Sequence, residues 1–153
     1  MKLTTALLGA TALPFLLSVP SHAENIGVSM ARFDSTFLTL LRNGMEARAA
    51  ELGDVTMQVE DAVNDPSNQL NQVSNFIASG VDAIIIAAVD ADSTPAMTAL
   101  ADAAGIPIIY ANHPPADLDS LPAKAAFVGS NEIDSGTLRP RKSAACWVAR
   151  AMC

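Results

Sequence analysis

The sequence predicts an α/β fold, a parallel sheet with helices on both faces, and three observations carry that prediction. Gly53, Gly80 and Gly105 each stand one position past a helical pattern and just before a short apolar run. Glycine there accommodates the left-handed backbone that closes a last helical turn. Ile84-Ile85-Ile86 is unbroken and apolar, which suits a central parallel strand buried on both sides. Isoleucine, valine, leucine and alanine dominate while aromatics make up only 5%, a composition that fits strands covered by helices. Repeated βαβ units follow, with right-handed crossovers. Architecture of this kind leaves function open.

Taken in order, Ile26 to Met30 reads as a strand and Thr36 to Leu52 as a helix. In that helix Phe37, Leu38, Leu41, Met45, Ala49 and Leu52 recur at helical spacing. Val55 to Val59 is a second strand. Asp65-Pro66 supplies an N-cap and a first-turn proline for a helix with Leu70, Val73 and Ile77 inward. Ala83 to Ala87 is the third strand and Thr94 to Ala104 the third helix. Ile106 to Tyr110 gives a fourth strand, and Ala125 to Val128 a fifth after a proline-rich loop from Pro114 to Pro122.

The ends of the chain differ from its body. Residues 1–23 read as a secretory signal: Lys2, the apolar stretch Leu3 to Val19 with Pro14 inside it, then Ser21-His22-Ala23 as a small-x-small cleavage site. A membrane-spanning helix wants about 20 apolar residues, so export to the periplasm is the expectation. Residues 24–138 hold all 16 acidic groups against Arg32, Arg42, Arg48 and Lys124, within a net charge of −7. Such a surface repels phosphate backbones, so no nucleic-acid partner is expected. Residues 139–153 reverse the balance with Arg139, Arg141, Lys142 and Arg150, and hold both cysteines, Cys146 and Cys153. Their spacing makes no zinc pattern.

In open parallel sheets, ligands bind outside the carboxyl ends of the strands. The candidate ligand-binding residues are therefore Asp34, Ser35 and Phe37 after the first strand, Asp90 after the third, and Asn112 and His113 after the fourth. Asp61, Asp92, Ser130, Asn131 and Arg32 occupy equivalent places. Carboxylates and amides bridge adjacent hydroxyls, and a ring covers the C–H face of a sugar, so the set suits a polyhydroxylated ligand. Competing structural roles exist for several: Asp34 or Ser35 as the cap of the first helix, Asp92 or Ser93 as that of the third, Phe37 as core. The chain lacks GxGxxG and GxxxxGK[ST], so no nucleotide cofactor is expected, and no metal or catalytic residue is assigned.

These residues carry a resemblance. Ile26-Gly27-Val28, Phe37-Leu38, Asn43-Gly44-Met45, Asp65-Pro66-Ser67-Asn68-Gln69, Gly80 to Ile86, Ala103 to Ile109 and Val128-Gly129-Ser130-Asn131 resemble the amino-terminal lobe of the ribose-type periplasmic sugar-binding proteins. The resemblance spans residues 25–138 and implies a Rossmann-like lobe of the periplasmic binding protein type I fold. It implies a solute receptor of a bacterial ABC sugar importer, with a monosaccharide or cyclitol as ligand, membrane transporter subunits as partners of the full-length receptor, and a monomeric state. It places a stacking aromatic at Phe37, a hydroxyl contact at Ser35 or Asp34 and another at Asn112. The family commonly has arginine where this chain has His113, and a second aromatic where it has Leu38. It also implies that residues 24–130 are the first lobe and 131–138 the start of a truncated second one. Residues 139–153 then read as out-of-frame or foreign sequence, leaving an incomplete fragment with weak or no binding. The alternative reading is a small periplasmic enzyme using Asp90, Asp92 and His113. A sugar-responsive repressor would need a helix-turn-helix where the signal lies.

Overall fold

The computed structural model describes residues 23–130. The predicted signal, the start of a second lobe at 131–138 and the basic segment 139–153 lie outside the described residues, Ala23 excepted. The elements are β1 (Glu24–Met30), α1 (Thr36–Leu52), β2 (Val55–Asp61), α2 (Pro66–Ser79), β3 (Ala83–Ala87), α3 (Thr94–Ala104), β4 (Ile108–Ala111), a short 3-10 turn (Leu118–Ser120) and β5 (Ala125–Val128). All strands pair in parallel, in the order β2-β1-β3-β4-β5.

The three glycines work as predicted. Gly53, Gly80 and Gly105 have φ of 77°, 74° and 71°, and each closes its helix through its backbone N–H. Asp65 caps α2 by accepting from the backbone N–H groups of Ser67 and Asn68.

Register assigns each face of the sheet. Gly27, Ile84 and Ile108 align across β1, β3 and β4, as do Ser29, Ile86 and Tyr110. With Val73 and Phe76 of α2 and Met97 and Ala101 of α3, these apolar residues of β3 and β4 form one core cluster. Gly27 is required there, because a Cβ would fall 2.6 Å from the Phe76 ring. On the other face Val28, Met30 and Ala87 pack with Leu38 and, less deeply, with Leu41 and Met45 of α1. So α1 lies on one face and α2 and α3 on the other.

The structure corrects several sequence expectations. Phe37 and Leu52 are 57% and 49% exposed, so only part of the predicted stripe of α1 faces inward. In α2 the fully or nearly buried residues are Gln69, Gln72, Val73 and Phe76, while Leu70 and Ile77 are half-buried. Strand β4 begins at Ile108 rather than Ile106, after Pro107, which has no N–H to give to a ladder. Strand β1 starts earlier, at Glu24, and β2 runs on to Asp61.

Candidate functional site

The carboxyl ends of the strands open into a cleft of about 390 Å³. Arg32 and Ser35 line it from the β1–α1 connection, Phe37 from the first turn of α1, Asn64 from the β2–α2 loop, and Asn112 and His113 from the end of β4. Ala87, Ala88 and Val89 form its apolar floor at the end of β3.

Each wall is held by specific bonds. Ser35 is the N-cap of α1, its Oγ accepting from the Leu38 N–H at 3.5 Å. That bond leaves Phe37 in the first turn, its ring exposed at the cleft. Asp61 joins two loops, its Oδ2 accepting from the Phe33 N–H at 3.3 Å and its Oδ1 from the Val63 N–H at 2.8 Å. The β2–α2 loop also returns to β1, where Ala62 N–H donates to the Met30 carbonyl and Asn64 N–H to the Ala31 carbonyl. Val63 and Asn64 both take positive φ, 55° and 57°. For a β-branched residue that conformation is an outlier and marks local strain.

Asn112 is held just as firmly. Its φ is 76°, its N–H donates to the Val128 carbonyl, and the His113 N–H donates to the Ala111 carbonyl, each at 3.0 Å. The i to i+2 bond across a positive-φ residue is a γ-turn, a tight and strained bend. It turns residues 112 and 113 out of the strand direction and into the cleft.

A buried polar cluster supports the floor. Gln69 is fully buried; its Nε2 donates to the Ala87 carbonyl and to Ser29 Oγ, each at 3.1 Å, and its Oε1 accepts from the Val89 N–H at 2.9 Å. Ser29 Oγ donates to Gln72 Oε1 at 2.6 Å, and Gln72 Nε2 donates to the Asp61 carbonyl at 2.7 Å. Backbone groups at the ends of β2 and β3, which would otherwise be orphaned, are thus satisfied by side chains of α2. A second cluster ties α3 to β4. The Tyr110 hydroxyl bonds Thr98 Oγ1 at 2.9 Å and the Thr94 carbonyl at 3.0 Å, and burial pushes its pKa up to about 12.

Of the predicted site residues, Ser35, Phe37, Asn112 and His113 come together at the cleft, and Asp34 and Asp90 do not line it. Asp34 Oδ1 instead pairs with Arg32 Nε at 3.2 Å. Asp90 Oδ1 accepts from the Ser93 N–H at 2.8 Å, a bond within the β3–α3 loop, and Ser93, the N-cap of α3, makes no side-chain capping bond. Asp92 is exposed and His113 is at the cleft, so the three residues of the alternative enzyme reading do not share its lining. Sequence reasoning missed Asn64, Gln69 and Gln72. The two glutamines left a signal, since Gln69, Gln72, Val73 and Phe76 fall on one helical face. Asn64 left none, because only the bonds of its loop to β1 bring it to the cleft.

The chemistry on offer is recognition. Two amides supply donors and acceptors, a partly exposed ring supplies a stacking surface, and the floor is apolar, which is the make-up of a small-molecule site. Among the described residues, no group of three potential metal ligands occurs.

The sequence profile of the periplasmic binding protein domain matches residues 26–148. A protein of Rhizobium meliloti named for rhizopine binding is 57% identical over 127 residues, which cover 83% of this chain and 41% of that protein. A ribose import binding protein of Bacillus subtilis is 32% identical over 59% of this chain and 31% of its own length. Among solved structures, an ABC transporter solute-binding protein of Bacillus halodurans with bound myo-inositol superposes with a TM-score of 0.66 at 40% identity. The match covers 74% of this chain and 38% of that one. The chain therefore spans about two fifths or less of the length of these relatives.

Proposed function

Because the chain belongs to the periplasmic binding protein domain family, we propose that residues 24–130 form the amino-terminal lobe of a solute receptor of a bacterial ABC importer, acting in the periplasm on a monosaccharide or cyclitol. The observation that carries this reading is the cleft itself. Asn64 and Asn112, both held at positive φ, share it with the exposed ring of Phe37 at the carboxyl ends of a parallel sheet. The amides take ring hydroxyls while Phe37 covers the C–H face. The myo-inositol bound by the Bacillus halodurans relative and the rhizopine in the name of the Rhizobium meliloti relative support a cyclitol within that class.

In the mechanism proposed, the ligand binds first to this wall and a second lobe closes over it about a hinge, giving the form that membrane partners read. One wall alone leaves most of a ligand's surface in water, so the chain itself binds weakly. Ligand-observed saturation-transfer NMR with myo-inositol should give a millimolar Kd, lost in Asn112→Ala and in Phe37→Ala. Transfer that survives both substitutions would sink the site assignment. A micromolar Kd by calorimetry would sink the claim that this wall is only half of the site.

A further inference from the structure

The walls of the cleft come from segments far apart in sequence, and one carboxylate ties two of them together without lining it. Asp61, at the end of β2, is half-buried and turns both oxygens to backbone donors. Its Oδ1 accepts from the Val63 N–H at 2.8 Å, an Asx-turn that leads into Asn64. Its Oδ2 accepts from the Phe33 N–H at 3.3 Å, across from the other wall. Thr39 Oγ1 lies 3.0 Å from the Phe33 carbonyl and 2.9 Å from the Ser35 carbonyl, so the tie reaches the first turn of α1, which carries Phe37. Behind the carboxylate, the Asp61 carbonyl is held by Gln72, and through Ser29 the chain of bonds runs on to Gln69 and the floor. Backbone groups fix the direction of that chain at both ends. The Val89 N–H can only donate to Gln69 and the Asp61 carbonyl can only accept from Gln72, which sets both amides.

We propose that Asp61 is a positioning residue for the polyol site: it touches no ligand, and by tying Phe33 to Val63 it sets the Phe37 wall against the Asn64 wall. The proposal rests on the polyol reading above and deepens it. Val63 shows why the tie is needed. It is 71% exposed and held at a φ of 55°, a conformation that a β-branched residue rarely adopts. Little packing holds it there, so the bonds at Asp61, Ala62 and Asn64 must over-determine the loop. An asparagine at 61 would match the carboxylate in size but offer one acceptor oxygen to two N–H donors. The loop would then leave its cleft-forming shape for part of the time, and the apparent Kd would rise as the inverse of the fraction that remains.

The test reads ligand affinity and wall geometry separately in the purified chain. In saturation-transfer titrations with myo-inositol, Asp61→Asn should raise the Kd about fivefold, as for a wall that is intact roughly one fifth of the time. Adding Val63→Asn should recover most of that loss, because asparagine accepts the left-handed backbone that valine resists. Thr98→Ala, which removes a buried bond between α3 and β4, should lower stability and leave the Kd unchanged. In amide NMR spectra without ligand, Asp61→Asn should move the Phe33, Phe37 and Asn64 resonances and leave that of His113 in place. Unchanged affinity in Asp61→Asn, no recovery with Val63→Asn, or equal weakening by Thr98→Ala would overturn the proposal. Unfolding of Asp61→Asn would make the residue a structural one and overturn it too. If the unsubstituted chain binds no myo-inositol, the polyol reading fails by itself. Unmoved Phe37 and Asn64 resonances would then overturn the positioning role as well, and moved ones would uphold it.

Discussion

The sheet has two margins where the described residues leave one face open, and they are made differently. At β2, the face shared with α2 and α3 carries Thr56, Gln58 and Glu60, and Gln58 Nε2 donates to Glu60 Oε1 at 2.7 Å. At β4 and β5, the face shared with α1 carries Ile109, Ala126 and Val128, the last 65% exposed. Along the aligned row Val59, Val28, Ile85, Ile109 and Ala126, burial is greatest at Val28 and is lost at Ala126. The β2 margin has residues chosen for water. The β5 margin has the residues of an interior, and parallel sheets bury both faces as a rule. Stability should therefore come mainly from the side that α2 and α3 seal.

The largest effect that would sharpen this contrast comes from a matched pair of truncations. Ile86 is fully buried on the sealed face and Ile109 half-buried on the open one. Ile86→Ala should cost about 3–4 kcal/mol, since it removes transfer energy and leaves a cavity that tight packing cannot fill. Ile109→Ala should cost less than half as much, because its neighbours on that face are already in contact with water. Equal losses in urea denaturation would break the contrast and mean that the open face is covered in solution.

A smaller effect tests the seal by pH. Tyr110 lies on the sealed face beside Ile86, and its pKa is raised from 10.0 to about 12 chiefly by desolvation. A folded-state pKa above the unfolded one means that the neutral hydroxyl is favoured by folding. The stabilisation is complete below pH 10 and is lost as pH rises through the window from 10 to 12. By pH 11 the loss should be roughly 1 kcal/mol relative to Tyr110→Phe, which has no hydroxyl to ionise. Parallel stability curves for the two chains from pH 9 to 11 would show that water reaches Tyr110 and that the face is not sealed.

The same contrast explains what the sequence made legible. Local signals were enough for α1, β3, α3 and β5, whose bounds match the structure, because glycine caps and apolar runs act within a few residues. They were not enough to say which apolar residues stay in water. Phe37, Leu52 and Val128 fit their local patterns yet are exposed, since cover depends on elements distant in sequence. The site divides in the same way. Phe37, Ser35, Asn112 and His113 follow from lying just beyond strand ends, a local rule. Asn64 depends on a loop stitched to β1, and the fate of Asp34 and Asp90 depends on which donor reaches each carboxylate first. Short carboxylates in these loops bond a neighbouring backbone N–H or a side-chain cation as readily as a ligand, and spacing alone does not separate the two roles.

The smallest expected effect bears on the β5 margin directly. Val128 contributes an exposed apolar side chain on an outer strand of the described sheet, next to Ala126 and Ile109. Replacing it with lysine removes little buried area, so Val128→Lys should change stability by about 0.5 kcal/mol or less. Its consequence should lie in association. Apolar residues on an outer strand invite contact between chains, and a lysine there opposes it by charge and hydration. Sedimentation of the purified chain should show concentration-dependent self-association that Val128→Lys reduces, while Thr56→Lys at the polar margin leaves it unchanged. A monomer at all concentrations, with or without the lysine, would mean that the β5 margin is no more adhesive than the β2 margin. The difference in side chains between them would then have no consequence for the chain in solution.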